Sequence, residues 1–88
     1  MTVKVAKLSA VPGGQSARIR RLAGGQPFLS RLASLGFVPG ARLRVIQNRG
    51  RGPLLVVVSD ARVALGRGEA DKILVERLAG EDGGDGGA

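Results

Sequence analysis

Glycine interrupts this chain before any apolar run grows long. Gly13-Gly14, Gly24-Gly25, Pro39-Gly40 and Gly50-Arg51-Gly52 separate short apolar stretches. Each break supplies either the free φ of Gly or the fixed φ of Pro that a tight turn needs. Such spacing favours several short strands over a helical bundle, so a small, mainly β domain is expected. The longest uninterrupted apolar run is residues 54–58, far short of the roughly 20 residues that cross a bilayer. A chain of 88 residues holds one hydrophobic core, which removes multidomain enzymes from consideration. The opening Met-Thr-Val-Lys-Val-Ala-Lys lacks the apolar segment of a secretory signal, so a cytoplasmic location is expected.

Period then assigns the elements. Over residues 17–22, Ala17 and Ile19 alternate with Arg18 and Arg20, which is the two-residue repeat of a half-buried strand. Between residues 26 and 35 the repeat changes: Phe28, Leu29, Leu32 and Leu35 fall on one helical stripe. Pro27 suits the first turn of that helix, and Gly36 suits the left-handed position that ends it. A strand over residues 42–48 points Leu43 and Val45 inward and Arg42 and Arg44 outward, although Ile46 breaks the alternation. Residues 53–59 need cover on both faces for part of their length and are expected to form the central strand. Short strands at 62–65 and 73–78 follow, joined through a single helical turn within residues 66–72, and Asp60 has the chemistry of a turn residue. The expected architecture is a five-stranded barrel with one α-helix over residues 26–35. The domain spans residues 1–78. Residues 79–88 hold five Gly and three acids with no large apolar side chain, the composition of a disordered acidic tail.

The chain contains no His and no Cys. This removes disulfides, the usual ligands of zinc, copper and iron, and most nucleophile and general-base arrangements. No cofactor and no catalytic residues are expected. Glu69 and Asp71 are the nearest approach to a paired-carboxylate site, and both are expected to meet solvent. The Gly24-Gly25 turn opens a helix, yet no Lys-Ser or Lys-Thr follows it as a phosphate loop requires.

Charge is more informative. Residues 1–59 carry ten Lys or Arg and no acid, whereas residues 60–88 carry four basic and seven acidic side chains. Eleven of the 14 cations are Arg, the residue suited to bidentate contacts with carboxylate or phosphate. Ten cations with no acid nearby are not neutralised locally. They are expected to form a partner-binding basic face from Arg18, Arg20, Arg42 and Arg44, extended by Arg49 and Arg51 in a hairpin loop. Nucleic acid is one acidic partner for such a face, but a chain with two Phe and no Trp or Tyr offers few platforms for base stacking. An uncovered face of Leu54, Val56 and Val58 is an alternative partner surface, and cover by the helix is the other reading of those residues.

These residues also carry a resemblance. Leu8-Ser-Ala-Val11-Pro-Gly13, Ala17-x-Ile19, Gly24-Gly25 and the run Arg31-Leu32-Ala33-Ser34-Leu35-Gly36-Phe37-Val38-Pro39-Gly40 resemble the FeoA family of small ferrous-iron transport proteins. Leu43-x-Val45, Asn48, Pro53-Leu54-Leu55-Val56, Ala64-Leu65-Gly66-Arg67 and Ala70-x-x-Ile73-x-Val75 extend it to residues 4–78. The resemblance implies an SH3-like barrel acting beside FeoB, a membrane iron transporter with a cytosolic GTP-binding domain. It further implies a non-enzymatic accessory role, with contact to the anionic inner-membrane surface as an accompanying expectation. The same domain type is found fused to iron- and manganese-dependent repressors, but this chain is too short for a helix-turn-helix as well. Transition-metal binding, a property attached to the family, meets no His, Cys or ligand-spaced carboxylates here.

Overall fold

The computed structural model describes residues 4–78. The tail expected over residues 79–88 lies outside the described residues. Six strands form one antiparallel sheet: β1 (Val5–Lys7), β2 (Ser16–Leu22), β3 (Arg42–Gln47), β4 (Leu54–Val58), β5 (Ala61–Leu65) and β6 (Ile73–Arg77), in the spatial order β1-β6-β2-β3-β4-β5. A 3-10 turn over Leu8–Ala10 follows β1, α1 (Gln26–Ser34) links β2 to β3, and the one-turn α2 (Arg67–Ala70) links β5 to β6.

Five strands were expected and six are present. The additional one, β1, is three residues long, too short for alternation to reveal, and it forms by pairing Val5 with Glu76 and Lys7 with Leu74 along β6. The other elements lie where period placed them, with ends shifted by a residue. The sheet coils around a core drawn from every strand except β1. Ala17, Ile19, Leu43, Val45, Leu54, Val56, Val58, Leu65, Ile73 and Val75 face inward, and Leu8, Val11, Leu32 and Phe37 join them. Leu54, Val56 and Val58 are therefore core, and the outward residues of β4 are the half-buried Leu55 and Val57. β4, expected to be central, is paired on both sides, by β3 and β5, but stands next to the edge strand β5, and β2 and β3 hold the middle of the sheet.

Two bulges correct the simple alternation. On β3 the register steps from Val45↔Val56 to Gln47↔Leu55, so Ile46 is the extra residue and stands exposed. On β2 it steps from Ile19↔Val75 to Arg21↔Leu74. Arg20 is the residue without a partner there. This insertion lets Arg20 and Arg21 both point outward between the core residue Ile19 and the half-buried Leu22. Without it, strict alternation sends one of the two guanidiniums inward.

The exit of α1 depends on Gly36. Its φ is +100°, the Gly36 N–H donates to the Ala33 carbonyl at 3.0 Å, and the Phe37 N–H donates to the Leu32 carbonyl at 2.9 Å. This is the Schellman closure, and it drops Phe37 into the core at 1% exposure. A Cβ at position 36 meets Ser59 Oγ at 2.9 Å, so an L side chain there forces Ser59 to shift and is strained by φ as well. Ser59 and Asp60 form the two-residue turn between Val58 and Ala61, both with positive φ (50° and 67°), as a type I′ hairpin requires.

Candidate functional site

Strand pairing decides which arginines meet. Arg18 on β2 lies directly opposite Arg42 on β3, and Arg44 lies opposite Ser16. Across the sheet Arg44 faces Val57, and Val57 faces Arg62 on β5, so two guanidiniums flank one aliphatic side chain in a row over three strands. Arg18, Arg42, Arg44 and Arg62 are all exposed. Arg62 was absent from the expected set, although the alternation Arg62-Val63-Ala64-Leu65 was enough to place it outward. Arg20 contacts Glu76 at 3.1 Å, and Arg18 Nη1 donates to the Gly40 carbonyl at 3.3 Å. A shallow depression of about 330 Å³ beside Ser16, Arg42, Arg44 and Val57 also includes Asp60, which offsets part of its positive charge.

Arg49 and Arg51 lie elsewhere. They are exposed in the loop between β3 and β4, beyond the end of β3 opposite Arg42, and the structure does not bring them beside Arg18 or Arg42. The base of that loop is pinned by Asn48, whose Nδ2 donates to the carbonyls of Ser9 (2.9 Å) and Val11 (2.8 Å). Asn48 Oδ1 accepts the Gly50 N–H at 3.0 Å and Arg67 Nη2 at 2.7 Å, and Arg67 Nη1 donates to the Ser9 carbonyl at 3.2 Å. Arg67 is thus a structural clamp joining the 3-10 turn, the β3–β4 loop and α2.

Of the carboxylates expected to meet solvent, Asp71 is exposed and Glu69 half-buried, and both also take donors. Glu69 Oε1 accepts the Gly66 N–H at 3.0 Å, closing the start of α2, and Glu69 Oε2 accepts from Arg31 on α1. Asp71 accepts from the Ser9 hydroxyl. Among the described residues no group of three or more His, Cys, Asp or Glu is placed to hold a metal ion. No helix among them is long and apolar enough to cross a membrane. The two Phe are withdrawn from the surface in different degrees: Phe37 is buried, while Phe28 is half-buried with Lys72 Nζ 5.3 Å from its ring centre. A second depression, of about 340 Å³, is apolar; Leu22, Leu29, Phe37 and Val38 line it between α1 and β2, with Arg20 and Arg21 beside them.

The model of the FeoA domain matches residues 6–77. The chain belongs to the FeoA domain family. It is similar to a curated relative from Methanocaldococcus jannaschii described as putative Fe(2+) transport protein A, at 35% identity over 63 residues, covering 72% of this chain and 76% of the relative. A crystal structure described as an iron uptake regulatory protein, FeoA, superposes with a TM-score of 0.80 at 31% identity, over 85% of this chain and 100% of the other. The zinc-complexed FeoA of Stenotrophomonas maltophilia, described as a unique prokaryotic SH3 domain protein, matches with a TM-score of 0.68 at 31% identity, over 85% and 89% of the two chains. The SH3-like barrel implied by the sequence motifs is the fold of this FeoA-family chain.

Proposed function

We propose that this FeoA-family chain is a non-enzymatic, cytoplasmic accessory protein of ferrous iron uptake. It docks on the cytosolic part of a FeoB-type membrane transporter and regulates it. Family membership over residues 6–77 and the Fe(2+) transport name of its relative support the system. The observation that carries the docking step is the Arg44–Val57–Arg62 row, two guanidiniums flanking an aliphatic side chain on the outer sheet face with Arg18 and Arg42 alongside. Such a face recognises carboxylates and gains association rate from charge. The anionic lipid beside the transporter has the same sign and adds to the attraction. Arg49 and Arg51 are exposed on their loop, and in this reading they take a second task, since an arginine supplied in trans accelerates GTP hydrolysis.

The test is a titration of the labelled chain with the transporter's isolated cytosolic GTP-binding domain at near-physiological salt, with and without GTP. Saturable binding is expected, weakened by Arg44→Glu together with Arg62→Glu. Failure to bind in both nucleotide states overturns the reading. Where hydrolysis is stimulated, Arg49→Ala with Arg51→Ala is expected to abolish the stimulation. The nucleic-acid reading is less well supported, because the chain has no Trp or Tyr and one of its two Phe is buried in the core. Single-stranded and duplex DNA are accordingly expected not to compete with the domain.

A further inference from the structure

The apolar groove between α1 and the β2 bulge takes no part in that charge-led docking. Its lining combines two features. The helix stripe leaves Leu29 only half-buried, and Val38, just past the helix exit, is 42% exposed, one of three large apolar side chains exposed among the described residues. Beside this apolar surface the bulge sets two successive guanidiniums, Arg20 and Arg21. Arg20 is held by Glu76, whereas Arg21 makes no ion pair among the described residues. The groove has no carboxylate in its lining.

We propose that this groove is a docking site for an acidic amphipathic peptide segment of a protein partner. One side chain of Leu or Phe size enters between Leu29, Phe37 and Val38, and a flanking carboxylate meets the Arg21 guanidinium. The volume, about 340 Å³, suits one such anchor in a desolvated pocket. Charge chooses the partner. The chain carries 14 Lys or Arg and seven Asp or Glu, a net charge of +7, so a second copy brings net like charge to the groove, while an acidic segment brings the complement. A β-bulge beside a binding surface re-aims side chains, and here it points Arg21 outward without exposing Leu22 fully. The proposal rests on the accessory-protein reading only for which protein carries the segment.

The full chain, labelled with ¹⁵N, is titrated with three synthetic peptides. One is Gly-Glu-Asp-Leu-Phe-Glu-Asp-Gly, the second replaces Leu-Phe with Ala-Ala, and the third replaces every acid with its amide. Saturable amide shifts at Arg21, Leu22, Leu29 and Val38 are expected with the first peptide, with affinity lower by about tenfold or more for the other two. Val38→Asp and Arg21→Glu, both at exposed positions whose folding is checked by retained spectral dispersion, are each expected to weaken the first peptide by about tenfold or more. Shifts confined to Arg18, Arg42 and Arg44, equal binding of the Ala-Ala peptide, no saturable binding, or self-association mapping to the groove each overturn it. A second arm uses the full-length transporter in nanodiscs. Peptide capture in the groove without transporter binding retains the groove and removes the accessory reading; transporter binding with no peptide capture does the reverse.

Discussion

Arg67 and Arg44 carry the same guanidinium to opposite ends of what an arginine can do in a protein. Arg67 lies in the corner between the 3-10 turn, α2 and the base of the β3–β4 loop, half-buried, with its Nη atoms on the Ser9 carbonyl and Asn48 Oδ1. Its Nε is buried without a partner in the described protein, a cost borne because the fork ties three segments far apart in sequence. Arg44 stands exposed on the sheet, opposite Ser16 on one side and Val57 on the other. The fold has already used the first guanidinium. No ion pair holds the second among the described residues, and residue type alone does not separate the two.

The largest effect separating them is on stability. Arg67→Ala strips a charged donor from two acceptors in a half-buried corner, which costs about 2–3 kcal/mol. In a domain of this size that lowers the melting temperature by roughly 10 °C or more, read by thermal unfolding followed by far-UV circular dichroism. Arg67→Lys should rescue little, because one ammonium does not reproduce the fork to Nη1 and Nη2. A stability loss below about 0.5 kcal/mol for Arg67→Ala, the level typical of surface changes, would sink the contrast.

The next largest effect is coupling within the same corner. Asn48 donates to the Ser9 and Val11 carbonyls while accepting from Arg67, so the two side chains share one network. A double-mutant cycle with Arg67→Ala and Asn48→Ala should give an interaction energy of about 1–2 kcal/mol. Additive losses would mean that each residue holds the loop independently.

The corner also marks where the sequence stops being legible. Strands β2 and β3 were readable because Arg18, Arg20, Arg42 and Arg44 alternate with core residues, and the helix end was readable because Gly36 follows a 3.6-residue stripe. The role of Arg67 was not, since its acceptor at Ser9 is 58 residues away and only the folded chain brings them together. β1 escaped for a related reason: three residues with an exposed, half-buried, exposed pattern owe their extended shape to β6. Ile46 was visible as a fault in the alternation, and the bulge is what that fault meant. On the candidate surface, Arg62 could have been read from period alone, whereas Arg21 could not, because its outward position depends on the insertion at Arg20.

Between the two extremes lies Arg20, paired with Glu76 at 3.1 Å and with side-chain exposures of 47% and 27%. An ion pair this open contributes only about 0.2–1 kcal/mol. A cycle of Arg20→Ala and Glu76→Ala, measured by urea unfolding, should place the coupling in that range at low salt and near zero at about 1 M, where the screening length falls to roughly 3 Å. Coupling that persists at high salt would assign Arg20 to the structural class with Arg67 instead.

Arg44 should show the smallest stability effect of all and the clearest effect on binding. Its side chain is exposed on the sheet face, so Arg44→Ala is expected to change unfolding free energy by less than about 0.5 kcal/mol. Loss of one cation from a face that recognises carboxylates should instead slow association with the transporter's GTP-binding domain and flatten its salt dependence. Stopped-flow association rates at two ionic strengths measure both. If Arg44→Ala binds at the wild-type rate while Arg67→Ala, at a temperature where it is fully folded, binds more slowly, the assignments reverse: the corner would be the docking surface and the sheet face a solvated one.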